Sequence, residues 1–363
     1  MKKKISIIGI VGLPSNYGGF ETLADYITKS LSRNFDFTVY CSEKSYSKKI
    51  SRYNNSKLKY INLYPNGYGS IFYDALSMLK SIRSSDVMLI LGVSGAIILP
   101  LIRLFSKSKI IVHIDGCEWK RDKWNFFAKR FLKFSEKIAV KFSHEIIADN
   151  PAIVNYVKSK FNKDSNLISY GADHVLSSKE VLIEPFKNKY PFIYSSYAIS
   201  VCRIVPENNI GLILDTFTKL KDRNIVLIGN WDSNEYSQGL KHKFKSYENI
   251  FLINSIYDQK SLDTLRAHSS FYIHGHSAGG TNPSLVEAMY LGLPVFCYDV
   301  NYNRETTSDS ALFFKTSNDL IDLINNTSKK DLNSISQKLK SIAQKNYLWS
   351  DISAKYSLLF NKS

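Results

Sequence analysis

The residues with the most evident chemistry lie in HGHSAGGTNPSLVEAM, His274 to Met289. The apolar run before it, Phe271 to Ile273, reads as a short buried strand, and SLVEAMYLG at its end reads as the first turns of a helix. Gly279, Gly280, Thr281, Asn282 and Pro283 form the loop between them. Such a loop brings bare backbone N–H groups to a helix N-terminus. The first N–H groups of a helix are unpaired and its dipole is positive there, so the place suits an anion. Pro283 fits the first helical turn, where its missing N–H costs nothing. Glu287 then stands one turn into the helix, near whatever the loop holds. The same spacing also describes an ordinary strand–turn–helix unit, so the rest of the chain has to decide.

Other residues point the same way. Arg203 follows the strand-like run Tyr197–Cys202, where a guanidinium can take phosphate oxygens as a fork. Gly18 and Gly19 end the loop GLPSNYGGFE just before a helix, a second place for a phosphate, although the pattern is not a GxGxxG dinucleotide fingerprint. His113, Asp115 and Glu118 cluster after the run Lys109–Ile114, at the strand end where open α/β sheets bind ligands. Each of these carboxylates also reads as a helix cap or a solvated charge. There is no HExxH, no DxD and no Cys/His set, so no metal is expected. Charge on a leaving diphosphate would be met by Arg203 and backbone dipoles.

A third stretch could do surface chemistry. From Trp119 to Phe142, Lys120, Arg121, Lys123, Lys129, Arg130, Lys133, Lys137 and Lys141 alternate with Trp124, Phe127, Phe131, Phe134 and Ile138, and the acids are only Asp122 and Glu136. Basic residues on one face and aromatics on the other describe a helix lying on anionic lipid. They equally describe an amphipathic helix whose aromatics are core.

Composition sets the frame for these elements. A chain of 363 residues, 44% hydrophobic and 22% charged, is a folded protein long enough for two domains. Cys41, Cys117, Cys202 and Cys297 lie far apart with no CxxC, which fits a reducing cytoplasm rather than a disulfide framework. The net charge is +16, and residues 1–185 carry 28 Lys and Arg against 16 Asp and Glu, while the remainder carries 20 against 16. The excess therefore sits in the first half, and nucleic acid or an anionic membrane is the partner class. No nucleic-acid motif accompanies it. MKKKISIIGIVG lacks a cleavage site and reads as a first strand rather than a signal peptide. Val87 to Phe105 approaches membrane-span length but is broken by Gly92, Ser94, Gly95 and Pro100. It reads as a strand (Val87–Leu91), a loop and a buried helix.

Strand and helix patterns alternate along the whole chain. Lys4–Val11, Phe37–Cys41, Lys59–Leu63, Val87–Leu91, Lys109–Ile114, Glu145–Ala148 and Leu167–Ser169 read as strands of a first half. Residues 174–190 are polar and read as a linker. Tyr197–Cys202, Ile225–Ile228, Ile250–Leu252, Phe271–Ile273 and Pro294–Tyr298 restart the pattern. The fold class is α/β, with two doubly wound Rossmann-like domains at 1–175 and 190–340, and a C-terminal helical segment at 341–363.

The second half resembles the nucleotide-binding domain of family-4 retaining glycosyltransferases of the GT-B fold. The resemblance is carried by VCRIVPENN (Val201–Asn209), by Gly229 and Asn230 after Ile228, and by GGTNPSLVEAM. In the first half, IIGIVGLPSNYGGFETLADYI, HIDGCEWKRDKW, ADNPAIVNY and SYGAD are similar to bacterial rhamnosyltransferases of capsule and cell-wall polysaccharide assembly. The resemblance implies transfer of L-rhamnose from dTDP-L-rhamnose, with retention, to a lipid-diphosphate-linked sugar. It implies an acceptor-binding first domain, a donor-binding second domain facing it across a cleft, and a C-terminal helix returning to the first. It also implies a cytoplasmic protein held at the inner face of the membrane, with no cofactor beyond the nucleotide sugar.

Position by position, the resemblance gives Arg203 the donor diphosphate, Glu287 the ribose, and Gly18 and Gly19 the far side of the diphosphate. Asp115 stands where relatives often have a His on the donor sugar. Glu118, Lys120 and Arg121 would face the acceptor or its phosphates, and the basic and aromatic pattern adds Trp119, Lys123, Trp124, Lys129 and Arg130 for acceptor or membrane. Two positions depart from the family pattern: Gly279 replaces the first Glu of a pair eight apart, and Asn208 replaces a phosphate-binding Lys. His276, Ser277 or backbone N–H groups would then contact the sugar. A UDP-sugar-dependent hexosyl- or N-acetylhexosaminyltransferase, and a nucleotide-sugar epimerase, remain alternatives.

Overall fold

The computed structural model describes residues 2–15, 18–114, 116–121, 124–175 and 184–362. Asp115 and Lys123 lie outside the described residues. The chain divides into two compact units, residues 1–170 with 349–363, and residues 171–348.

The first unit carries β1 (Lys4–Ile8), α1 (Gly19–Leu31), β2 (Asp36–Ser42), β3 (Arg52–Tyr53), β4 (Ser56–Ile61), α2 (Gly69–Ser81), β5 (Val87–Leu91) and α3 (Leu99–Phe105). It continues with β6 (Lys109–Ile114), α4 (Phe126–Phe142), β7 (Glu145–Ala148), α5 (Pro151–Phe161) and β8 (Asn166–Leu167). Its sheet runs β3-β4-β2-β1-β5-β6-β7-β8. The pairings are parallel except that of β3 with β4. Strands covered on both faces must be apolar throughout, which is why KISII and VMLIL read as continuous runs. The chain winds outward from β1 one way to β2 and β4, then returns to β5 and winds the other way. This makes a switch point between β1 and β5. The C-terminal helix Trp349–Asn361 packs on α1, with Trp349 stacked on Tyr26 at 4.2 Å between ring centres.

The second unit holds α6 (Glu184–Lys189), β9 (Tyr197–Val201), α7 (Ile210–Lys219), β10 (Asn224–Ile228), α8 (Glu235–Phe244), β11 (Ile250–Ile253), α9 (Gln259–His268) and β12 (Phe271–His274). After these come α10 (Pro283–Tyr290), β13 (Val295–Tyr298), α11 (Asn301–Thr307), β14 (Leu312–Phe314), α12 (Ser317–Asn326) and α13 (Lys329–Asn346); the C-terminal helix is α14. The sheet order is β11-β10-β9-β12-β13-β14, parallel throughout. Alternate residues of one strand feed two cores. Val226 and Ile228 pack with Leu285, Val286 and Met289 of α10, while Ile225 and Leu227 pack with Ile213, Leu214 and Phe217 of α7. The switch point falls between β9 and β12, so the loops after those two strands lie side by side. Both units are thus doubly wound and Rossmann-like.

Three local expectations change. The polar segment read as a linker contains α6. The stretch from Trp119 is not one helix: Glu118–Lys120 is a single 3-10 turn and α4 starts at Phe126, capped by the Asn125 side chain accepting from Ala128 N at 2.9 Å. The helix α3, expected to be buried, shows four of its seven side chains to solvent, Leu101, Arg103, Leu104 and Phe105. Pro100 and the preceding turn set its rotation so that only Leu99 and Ile102 reach the core.

Candidate active site

The loop after β9 is bound to the loop after β12. Asn208 donates its side-chain amide to the Arg203 carbonyl at 2.7 Å, and Asn209 donates to the Gly275 carbonyl at 2.8 Å. Ser277 donates both its backbone N–H, at 2.8 Å, and its hydroxyl, at 2.9 Å, to the Glu207 carbonyl. These bonds hold the Arg203 backbone beside the 275–282 loop and leave the guanidinium exposed. Asn208 is buried at 2% exposure and spends its amide on the loop. It therefore shapes the loop that carries Arg203. Ser277 is likewise committed to Glu207. Gly229 is packed against the Cys202 carbonyl, and Asn230, exposed, turns its side-chain oxygen back to Asp232 N at 3.1 Å.

The second loop ends on α10 as its residue types require. The Asn282 side-chain oxygen accepts from Ser284 N at 3.1 Å and from the Ser284 hydroxyl at 2.8 Å, and Pro283 opens the helix. Thr281 is buried at 4% exposure, beside half-buried Gly280. Gly279 has φ +136°, a conformation L side chains rarely adopt, and a Cβ there would meet open space. Position 279 is thus bare backbone facing open space. His276 stacks on His274 at 4.2 Å with the rings nearly parallel, and its carbonyl accepts from Asn303.

Glu287 sits inside a charged network that the sequence reading missed. Its Oε2 accepts from Arg266 at 2.6 Å and its Oε1 lies 3.3 Å from His174 Nε2. Arg266, only 1% exposed, also donates to Asp263 at 3.2 Å, and Asp263 accepts from Gln259 on both oxygens at 2.9 Å. Burial pushes the Glu287 carboxyl up, but the Arg266 guanidinium and His174 outweigh it and hold the group below its ordinary range. Glu287 is therefore an ionised acceptor in a fixed rotamer, 12% exposed, able to receive hydroxyl donors. One signal could have revealed Arg266: it follows Leu262 and Leu265 in an apolar stripe, three residues after Asp263.

In the first unit the expected residues separate. Gly18 precedes α1 with φ +115°, and a Cβ there would stand 2.1 Å from Glu21 Oε2. Glu21 Oε1 accepts from Val11 N at 2.8 Å. A carboxylate of the protein already lies over Gly18 and the first turn from Gly19, so a phosphate reaching this loop would meet it. Glu118 accepts from Trp124 Nε1 at 3.1 Å and pairs with Arg121 at 2.6 Å. Arg121 is 8% exposed. Trp119 is also turned inward, donating to buried Glu136 at 3.1 Å, with Lys133 over its ring at 4.1 Å. The physical reason is shared: half-buried indoles donate to carboxylates, and Glu118 draws Arg121 in with them. Lys120 and Arg130 are exposed, and Lys129 is half-buried.

His113 and His274 are both fully buried at the C-terminal ends of β6 and β12, and burial pushes each imidazole down to about 3. His113 packs edge-on against Phe20, and neither ring nitrogen of His274 has a hydrogen-bond partner among the described residues. The sign of the linkage follows. The unfolded chain takes up a proton near pH 6.5 that the folded imidazole refuses, so stability falls as pH drops from 6.5 toward 3. The expected NMR result is that both imidazoles stay neutral down to about pH 4. A midpoint near 6.5 for either would show it in contact with water.

Among the described residues no three His, Cys, Asp or Glu side chains gather as metal ligands. Residues 186–346 match the family described as glycosyl transferases group 1, and residues 2–173 match one described as Domain of unknown function (DUF1972). The second unit carries a group 1 glycosyltransferase domain. The loops of Arg203 and of Gly279–Glu287 lie within the matched residues. Among curated proteins no sequence matches the chain. Solved structures share the fold. Sucrose-phosphate synthase from Thermosynechococcus elongatus has a TM-score of 0.83 at 11% identity, covering 99% of this chain and 98% of that one. Anabaena HepE in complex with UDP and glucose has a TM-score of 0.74 at 13% identity, covering 98% and 99%. The catalytic domain of Arabidopsis thaliana starch synthase IV, bound to ADP and acarbose, has a TM-score of 0.69 at 14% identity, covering 99% of each.

Proposed function

We propose that this glycosyltransferase is a retaining rhamnosyltransferase. It moves L-rhamnose from dTDP-L-rhamnose to a lipid-diphosphate-linked sugar in cell-surface polysaccharide synthesis, at the inner face of the membrane. The observation that carries the donor site is Glu287, an ionised acceptor locked by Arg266 and His174 one turn into the helix that Asn282 caps. The choice of rhamnose rests on the first-half motifs quoted above.

In this reading the diphosphate lies on the N–H groups of the Gly280–Asn282 turn and on the Arg203 guanidinium, while Glu287 receives the ribose hydroxyls. The acceptor hydroxyl attacks the anomeric carbon from the face the diphosphate is leaving. The carbon–oxygen bond to phosphate breaks, the new glycosidic bond forms, and the hydroxyl proton passes to the leaving phosphate oxygen. No protein nucleophile takes part, so positioning and electrostatics supply the rate. His276 and the bare backbone at Gly279 replace the carboxylate contact that relatives make.

The test is a panel of dTDP-L-rhamnose, UDP-glucose and UDP-N-acetylglucosamine with lipid-diphosphate acceptors differing in their first sugar. The expected product is a rhamnosylated lipid with the donor's anomeric configuration retained. Transfer from a UDP-sugar alone supports the hexosyltransferase reading, for which the UDP and glucose bound by HepE are a precedent of fold only. Turnover of donor to an isomer without any acceptor would make the protein an epimerase.

A further inference from the structure

His174 reaches Glu287 from a turn rather than from a helix. Val175 N donates to the Ala172 carbonyl at 3.3 Å and closes the turn around it. Both ends of the turn are buried, Ala172 fully and Val175 at 5% exposure. Ala172 packs with Leu285, Val286 and Met289 of α10, and its N–H donates to the Tyr347 carbonyl at 2.7 Å. A turn fastened at both ends presents His174 in a fixed place, with Nε2 3.3 Å from Glu287 Oε1.

An ionised carboxylate only accepts, so Nε2 facing it is a donor. Each Glu287 oxygen thus has a protein donor, Arg266 on Oε2 at 2.6 Å and His174 on Oε1. The two come from different sides. The Arg266 side chain is 2% exposed and approaches from the core, while those of Glu287 and His174 are 12% and 10% exposed. Glu287 and His174 therefore share one small opening, and a hydroxyl entering it meets the imidazole at Oε1 and an open lone pair at Oε2. The sugar of a ribonucleotide brings two neighbouring hydroxyls, at C2′ and C3′, and a 2′-deoxyribose brings only the second. Two hydroxyls need an open position on each oxygen, and His174 takes the one on Oε1. An added hydroxyl would be buried there without its acceptor, which costs more than leaving it in water.

We infer that His174 is a specificity-determining residue: it closes Glu287 Oε1 to a second sugar hydroxyl, so the site takes a 2′-deoxyribonucleoside diphosphate in preference to the ribonucleoside diphosphate of the same base. This rests on the reading of Glu287 as the acceptor for the nucleotide's sugar, and it holds whichever hexose the donor carries. A residue that only steadied Glu287 would leave the two nucleotides equally bound.

The full chain is titrated calorimetrically with thymidine diphosphate and with 5-methyluridine diphosphate, which differ only by the C2′ hydroxyl. Thymidine diphosphate is expected to bind about tenfold tighter or more. In His174→Ala the two affinities should converge, chiefly because 5-methyluridine diphosphate gains. His174→Gln keeps an N–H donor for Oε1 and should keep the preference, while Glu287→Gln should weaken both nucleotides. The inference is overturned if wild type binds the two alike or favours the ribonucleotide, a comparison that needs no variant to fold. It is equally overturned if folded His174→Ala keeps the wild-type preference, whether or not both affinities drop. Binding of neither nucleotide would remove the donor-site reading and this inference with it, whereas equal binding of both removes the inference and leaves that reading standing.

Discussion

Arg203→Ala is expected to lower kcat/KM for sugar transfer by about 10²–10³-fold while leaving the melt unchanged. The reason is positional. Arg203 is exposed at the carboxyl end of β9, beside the switch point, and its carbonyl rather than its guanidinium is used in holding the loop. In the proposed reading, removing the side chain takes away a cation at the developing charge on the leaving diphosphate, worth roughly 3–4 kcal/mol where such a donor is preorganised. It leaves every bond between the two loops in place. Asn208, 2% exposed and bonded to the Arg203 carbonyl, cannot substitute for it. Arg203→Lys should recover part of the rate, since a point charge replaces a fork. Wild-type turnover in Arg203→Ala would remove the donor assignment.

Arg266→Met has the larger structural effect. Arg266 is almost wholly buried between Asp263 and Glu287, and its loss leaves two carboxylates in the core without their cation. Breaking a buried pair in this way costs about 3–5 kcal/mol, because the remaining charge keeps its desolvation penalty. Urea unfolding of the full chain should show the second unit melting early. The Glu287 carboxyl should rise once its cation is gone, since burial is the larger influence left. Its folded-state value now lies below the ordinary one, so it stabilises the protein above about pH 4.5 and that contribution is lost as pH falls further. In Arg266→Met the sign reverses, and the variant should be relatively more stable in mild acid. A variant as stable as wild type at neutral pH would mean the network contributes nothing.

Much of the frame was legible in the chain. Parallel strands buried on both faces must be apolar runs, and helices between them must repeat at 3.6 residues, so Val87–Leu91, Lys109–Ile114 and Glu145–Ala148 were read with their observed limits. The α10 N-terminus was legible for a local reason: Asn282 and Pro283 act on groups within two residues of themselves. The short strand β14 was not, because three residues carry too little periodicity.

Less legible was the partner at the far end of each side chain. The alternation from Trp119 to Phe142 says that one face is apolar and another basic. It does not say that Trp119 and Tyr156 find Glu136, that Glu118 takes Arg121 and Trp124, or that Glu21 lies over Gly18. These partners are 3 to 20 residues apart or more, and only packing selects among them. The same is true of Glu287. Its place one turn into a helix follows from spacing, and its nearness to the Gly279–Asn282 loop with it. That it is ionised and held still depends on Arg266, 21 residues before it, and on His174, which lies far earlier in the chain. The sequence by itself determined the two doubly wound units and the anion-ready helix end, because local propensity and period suffice for both. Tertiary structure alone decided which charges are spent inside the protein and which remain for a ligand, because burial makes an unpaired charge too costly to leave to chance.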